Sequence, residues 1–421
     1  MRAILRVSGR EDALAAARLL RARGYDIPDS PDGLGAADLL VVDEWTPEGD
    51  PWVREAREAG TPVTVLAELI LDGTTGPVVA VTGTAGKTST CRALEHLLTA
   101  CDMPVCISGT ARSGNAWPDH SLARDLPPGA VTIAELTSTH LCHMGRVRVD
   151  VGVITMVRPD HVELHGSLER YYAAKRRVVE AIPSGAPLIL PVDDPTTIQA
   201  LGVDAPPGWG FGAGQGVGFG AFAPGDGTVL LRSATGVAVA PSVPQGTAGR
   251  AAMAAAAAAL ALGAPADRLA HAMGQVPDAV HRMVRHALPN GVTLIDNTMA
   301  ATPLKGRAGL GELRPGPLVL VIGGDPAPAG ARVHTDAVEQ GVLAEALLDA
   351  RRRADTLVAF GPAAEAISDI VQPDQRTTDV AGALDAAVDA CPPGGTVMVA
   401  PMFPMTPAER TYVAGYGPPL R

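Results

Sequence analysis

The sequence predicts an α/β protein built from three domains. Three observations carry that prediction. The chain has 421 residues, enough for about three domains at ~150 residues each. Short apolar runs alternate with amphipathic stretches along most of its length, as in parallel sheets covered on both faces by helices. One apolar run, VVAV at 78–81, passes directly into GTAGKTST at 83–90. A glycine loop that opens a helix after a buried strand is a phosphate-binding arrangement.

Residues 1–76 form a small α/β domain. ILRV (4–7) is a strand and EDALAAARLLRARG (11–24) a helix that ends at Gly24. ADLLVVDEW (37–45) is a second strand, PWVREAREAG (51–60) a second helix, and TPVTVLAELI follows it. GTTG at 73–76 is a linker.

The second domain, 77–283, begins with the phosphate loop. Its helix, 88–100, carries Leu94, Leu97 and Leu98 on one face. VTIAEL (131–136) and VGVITMV (151–157) are further buried strands. Residues 167–181 form a helix with Ser167 as its cap. APLILPVDDP (186–195) is a strand running into a turn. The glycine-rich stretch 206–227 is expected to be loops around short strands, and 249–262 is a helix on alanine propensity.

The third domain, 284–421, repeats the alternation. GVTLIDN (291–297), PLVLVIGGD (317–325), DTLVAFG (355–361) and GTVMVAP (395–401) are strands, with helices at 335–353 and 378–391.

Composition removes several classes of function. A net charge of −11 argues against nucleic acid as the main partner, because phosphate backbones require a basic face. The five cysteines include no CxxC pair, so their spacing predicts no zinc site, and a reducing cytoplasm is the expected setting. The N-terminus lacks the apolar run of a signal peptide, and no uncharged segment is apolar and long enough to span a membrane. No coiled-coil pattern or apolar stripe argues against a monomer.

The candidate chemistry starts at the loop. Gly83 and Gly86 let the backbone approach a phosphate closely. Lys87 is placed to reach β/γ-phosphates, and the Thr88 hydroxyl to hold Mg²⁺. Glu135 ends a buried strand, where an acid is well placed for the nucleotide's metal. PDH at 159–161 ends another strand, and Lys175 follows fourteen residues after His161, inside a helix.

GTAGKTST, AELTST, PDHVELHGSLERYYAAK, LPVDDP and VHR, in this order and at this spacing, resemble the Mur ligase family. The N-terminal domain and the GGD and AP segments look most like its D-glutamate-adding branch. The resemblance implies a small substrate domain, a central ATPase domain and a C-terminal Rossmann-like domain. It implies an ATP-dependent amide ligase, which turns a small-molecule carboxylate donor into an acyl phosphate for attack by an amine acceptor. Gly83, Thr84, Ala85, Gly86, Lys87, Thr88 and Ser89 would cradle the phosphates of ATP. Thr88 and Glu135 would hold one Mg²⁺. His161 matches a ligand of a second Mg²⁺, and Lys175 matches a lysine that the family carbamylates. Arg282 matches an arginine that reaches the γ-phosphate near a hinge, and Asp296 or Asn297 matches a polar residue near phosphate and ribose.

The chain also departs from the family pattern. The adenine-contacting H-N-x-x-N is replaced by Ala248, Gly249 and Ala252. A phosphate-facing lysine has become Met299, with Lys305 nearby. GGDPAPAG (323–330) lacks the acceptor-binding lysine, and Met405 stands near an expected serine, with Met402 and Phe403 expected to line the same region. The first domain is short for a full uridine-diphosphate pocket. These departures predict an acceptor other than D-glutamate and a specialised biosynthetic pathway. The alternatives are a nucleotide-binding scaffold with weak or no ligase activity and a peptidoglycan D-glutamate ligase.

Overall fold

The computed structural model describes residues 1–421 except 9, 29–32, 109–127, 204–207, 215–217, 242, 245, 278–279, 329–332, 335–336 and 421. The chain divides into two compact units, Met1–Pro277 and Asp278–Arg421.

In the first unit a small parallel sheet holds β1 (Ala3–Arg6), β2 (Leu39–Val42) and β3 (Val63–Val65) in that order. Its apolar residues Ile4, Leu40, Val42 and Val65 pack in one cluster with Val78, Ala80, Ile154, Tyr171 and Val178. The small sheet therefore shares a core with the central one, which is why both fall in one compact unit.

The central sheet comprises β4 (Val78–Thr82), β5 (Val105–Ser108), β6 (Val131–Glu135), β7 (Val151–Ile154), β8 (Leu188–Pro191), β9 (Trp209–Ala213), β10 (Phe219–Ala223), β11 (Val229–Ser233) and β12 (Gly236–Ala240). Among the described residues their order is β12-β11-β10-β9-β8-β7-β4-β6-β5. Alternate residues of β4 serve opposite faces. Val79 and Val81 join the cluster containing Leu94, Leu97 and Ala252, whereas Val78 and Ala80 join the one containing Tyr171. A strand buried on both faces needs the unbroken apolar run that its sequence shows.

The glycine-rich stretch holds the short strands expected of it. Its described residues include two five-residue strands, β9 and β10, paired in parallel from Trp209↔Phe219 to Ala213↔Ala223. A Cβ at Gly220 would stand 1.7 Å from the Gly210 carbonyl oxygen. The glycines permit a close strand-to-strand approach, and a composition typical of loops is here a packing requirement. Beyond them β11 and β12 form an antiparallel extension, so the central sheet is mixed at this end.

The second unit holds β13 (Val284–Ala287), β14 (Thr293–Asp296), β15 (Leu318–Gly323), β16 (Thr356–Phe360), β17 (Gln375–Thr377) and β18 (Thr396–Met402), ordered β13-β14-β18-β15-β16-β17. All neighbouring pairs are parallel except β13–β14. The helix expected over 335–353 runs from Ala337 to Arg353, residues 335–336 lying outside the described residues.

Candidate active site

β4, β6 and β7 run parallel, with Val81 opposite Glu135 and Thr82 opposite Ile154. Their carboxyl ends therefore lie along one edge, where open α/β sheets bind ligands. The loop after β4 leaves at Gly83 with φ +149°, and a Cβ there would lie 2.1 Å from Thr155 Oγ1. Only glycine fits. The Thr84 amide donates to the Met156 carbonyl at 2.6 Å, and Thr155 Oγ1 donates to the Ala85 carbonyl. The loop is thus seated on the segment after β7.

Helix Lys87–Ala100 starts at once, capped by Gly86 in the left-handed region with φ +89°. Gly86 brings no capping side chain to the first turn. Lys87 Nζ folds back and donates to the carbonyls of Gly83 at 2.8 Å and Thr84 at 3.3 Å. Thr88 Oγ1 donates to Glu135 Oε1 at 3.0 Å, and both residues are buried.

Lys175 comes from helix Leu168–Ala181, which Ser167 caps by accepting from the Arg170 amide. Its side chain is 1% exposed and donates to the same Gly83 carbonyl at 3.0 Å. Lys175 Nζ also lies 4.8 Å from the centre of the Tyr171 ring. The Tyr171 hydroxyl stands 2.6 Å from Thr84 Oγ1, which accepts from the Arg158 amide and donates to the Arg158 carbonyl, both at 2.9 Å. Loop, lysine and tyrosine form one bonded group.

His161 caps helix Val162–His165 with a left-handed φ of +53°. Its Nδ1 lies 3.3 Å from Glu163 Oε1 and its Nε2 3.7 Å from Asp160 Oδ2, with Trp45 edge-on at 6.1 Å. A ring among acids has the electrostatics of a cation site. The LPVDDP acids are structural ties. Asp194 caps helix Pro195–Leu201 and pairs with Arg158 at 2.9 Å, and Asp193 forms a two-pronged pair with Arg250 at 2.7 and 2.9 Å.

Arg282, Asp296 and Asn297 belong to the second unit and are placed within it. Asp296 is buried at the end of β14. One of its oxygens lies 2.7 Å from His281 Nδ1, and the other accepts from the Thr298 amide and hydroxyl. Arg282 is partly exposed and sits between His281 and Met283, both with positive φ, +59° and +57°. Such a run of non-glycine residues is strained backbone. Met402, Phe403 and Met405 correct the sequence expectation. They are 0%, 2% and 5% exposed and pack in the unit's apolar core, so they do not line an open acceptor surface. Alternating side chains of a buried strand end and the turn after it fill the interior instead. Part of the segment expected at 323–330 lies outside the described residues.

The departure at residues 248–252 has a structural reason. Helix Gly246–Ala261 packs its alanines against the central sheet and helix Lys87–Ala100. A Cβ at Gly249 would stand 2.0 Å from the Pro244 carbonyl oxygen, and Ala252 is fully buried. At Gly249 there is no room for an amide side chain.

Residues 81–222 match the model of the Mur ligase middle domain. The chain is 26% identical over 408 residues to a UDP-N-acetylmuramoylalanine–D-glutamate ligase of Symbiobacterium thermophilum, covering 94% of this chain and 84% of that one. It is 28% identical over 392 residues to a UDP-N-acetylmuramoyl-L-alanine–L-glutamate ligase of a Micromonospora species, covering 88% and 79%. The fold is similar to that of the MurF ligase from Thermotoga maritima in complex with ADP, with a TM-score of 0.62 at 19% identity, covering 98% of this chain and 92% of that one.

The chain carries the middle domain of the Mur ligase family. Members of the Mur ligase family are ATP-dependent C–N ligases, and this protein is one. Sequence reasoning had missed Tyr171 and Thr155. Tyr171 stands four residues before Lys175, and that spacing puts both on one helix face. Thr155 carries no signal of its own, because its part is played through backbone carbonyls of the loop. Among the described residues, no helix is long and apolar enough to cross a membrane.

Proposed function

We propose that this Mur ligase activates a small-molecule carboxylate with ATP at the Lys87–Thr88–Glu135–Lys175 group and transfers the acyl unit to an amine other than D-glutamate. One observation carries the reading. Two ammonium groups, Lys87 and Lys175, share the Gly83 carbonyl at 2.8 and 3.0 Å, beside the Thr88–Glu135 pair. Bringing a carboxylate to a triphosphate requires concentrated positive charge.

The residues fit the nucleotide and its metal. Thr88 and Glu135 supply converging oxygen atoms, the ligand type that Mg²⁺ takes. Bound there, Mg²⁺ would neutralise phosphate charge. Lys87 swings from the loop carbonyls to the phosphates. The donor carboxylate then attacks the γ-phosphorus and ADP leaves. The amine attacks the acyl carbon, inorganic phosphate leaves and the nitrogen sheds a proton.

Lys175 is the carbamylation candidate. Two like charges on one carbonyl oxygen repel each other. Addition of CO₂ to the neutral Lys175 amine releases one proton and leaves an anion, which attracts Lys87 and offers oxygen to a cation. His161, with Asp160 and Glu163, would serve a second cation. In this division of labour residues 1–76 take the donor, 77–283 the ATP and 284–421 the acceptor.

The acceptor reading rests on the missing lysine after GGD. Relatives named for glutamate transfer would need partners for its second carboxylate. The test is acceptor-dependent ADP release by the pure protein with Mg-ATP. Muramoyl-type and simpler carboxylates are crossed with D-glutamate, L-glutamate and less acidic amines. Release with a less acidic amine, lost in Lys87→Ala, is the expected result. Appreciable turnover of the muramoyl donor with D-glutamate overturns the acceptor assignment.

A further inference from the structure

The cysteine spacing predicts no zinc site, yet folding assembles a sulfur–nitrogen–oxygen trio. Glu48 lies in the segment after β2, Cys142 in helix Ser138–His143, and His165 ends helix Val162–His165. One donor atom from each lies within 4.8 Å of the other two. His165 Nδ1 is 2.7 Å from Glu48 Oε1, so two of the donors already share a proton.

The frame around the trio is fixed without any ion. The Glu48 amide donates to the Leu164 carbonyl at 2.9 Å. His143 Nε2 lies 2.7 Å from the Thr46 carbonyl, and Arg57 reaches both the Cys142 carbonyl, at 3.3 Å, and Glu48 Oε2, at 3.8 Å. Donors on three independently held elements form a preorganised site. The His165 side chain is fully buried, whereas Glu48 and Cys142 are part-exposed and leave an approach.

The geometry points to a binding site for a zinc-class divalent transition metal, with Glu48, Cys142 and His165 as protein ligands. Thiolate, imidazole and carboxylate together suit Zn²⁺, whereas Mg²⁺ prefers oxygen alone. Ligand atoms around tetrahedral zinc stand roughly 3.3–3.8 Å apart, so the trio needs only small adjustments. On binding, the Cys142 S–H bond breaks, sulfur keeps the electron pair for the metal, and one proton leaves to solvent. The imidazole moves its proton from Nδ1 to Nε2 and stays neutral. The bound ion would staple the segment 43–50, from the small sheet, onto the helices beside His161.

Co²⁺ titration of the full metal-free chain tests the site, because sulfur ligation gives a near-ultraviolet charge-transfer band that oxygen-bound Co²⁺ at Thr88 and Glu135 would lack. One Co²⁺ per chain with this band, displaced by Zn²⁺, is expected. Cys142→Ser should abolish the band, and His165→Gln should weaken Zn²⁺ binding at least tenfold. Cys142→Ser is nearly isosteric and guards against a folding failure in the histidine variant. No charge-transfer band, or a band that survives in Cys142→Ser, overturns the assignment. The outcome is independent of nucleotide binding.

Discussion

At the scale of single residues, the Gly83 carbonyl is the point on which the two lysines converge. Lys87→Ala removes the group proposed to hold phosphates. Mg-ATP at a hundredfold excess over its dissociation constant should raise the wild type's stability by ~2.7 kcal/mol. In Lys87→Ala that gain should shrink towards zero, as a thermal-shift comparison would show. Lys175→Ala should lower acceptor-dependent ADP release by ~100-fold or more, the usual scale for a lost electrostatic group at a reacting centre. Added short carboxylates should restore part of that rate if the missing group is a carbamate, and a variant unmoved by them would count against carbamylation. Tyr171→Phe loses one buried hydrogen bond to Thr84 and should cost about 1 kcal/mol in denaturant unfolding.

At the scale of elements, restoring the family's amide in helix Gly246–Ala261 should fail. Gly249→Asn would drive a Cβ to within 2.0 Å of the Pro244 carbonyl oxygen. Overpacking of this kind typically costs about 1–3 kcal/mol, so the variant should unfold at lower denaturant concentration without tighter ATP binding. This element also marks where the sequence is legible and where it is not. β4, Lys87, Thr88 and Glu135 could be placed from order and pattern, because an unbroken apolar run followed by glycines fixes both strand and loop, whereas Lys175 came from the family resemblance. Alanine propensity gave helix Gly246–Ala261, but not the carbonyl that forbids a side chain at 249. Short strands could be expected in the glycine-rich stretch, but not the bounds and close parallel pairing of β9 and β10, because glycine serves loops and close strand contacts equally. Met402 and Met405 were misplaced because an apolar residue near a motif looks the same whether it lines a pocket or fills a core. The Glu48–Cys142–His165 trio has no sequence spacing at all, since three separate elements supply it.

At the scale of the whole molecule, acidic stability depends on how arginine is used. Burial would raise Asp194, but hydrogen bonds from Arg158 and Thr197 outweigh it and hold its carboxyl below the usual range. The same balance, with Arg250 and the Ala213 amide, holds Asp193 down. Asp374 is lowered chiefly by its hydrogen bond from Arg351 in the second unit. A carboxyl whose pKa is depressed by folding binds protons more weakly than in the unfolded chain. Its contribution is complete above the unfolded value of about 3.9 and is lost as pH falls through the lower folded value. Stability should therefore be flat with respect to these three groups from neutral pH to about pH 5, then fall steeply below about pH 4. Asp194→Asn should lower stability at neutral pH and flatten the acid limb, because the variant has no such proton to take up. Asp374 is more exposed, so Asp374→Asn should flatten it less, and added salt should erode that effect first. Urea unfolding of the three proteins at pH 7 and pH 3.5 measures the difference directly. An Asp194→Asn acid limb as steep as the wild type's would mean that the Arg158 pair, although well formed, does not govern how the first unit responds to acid.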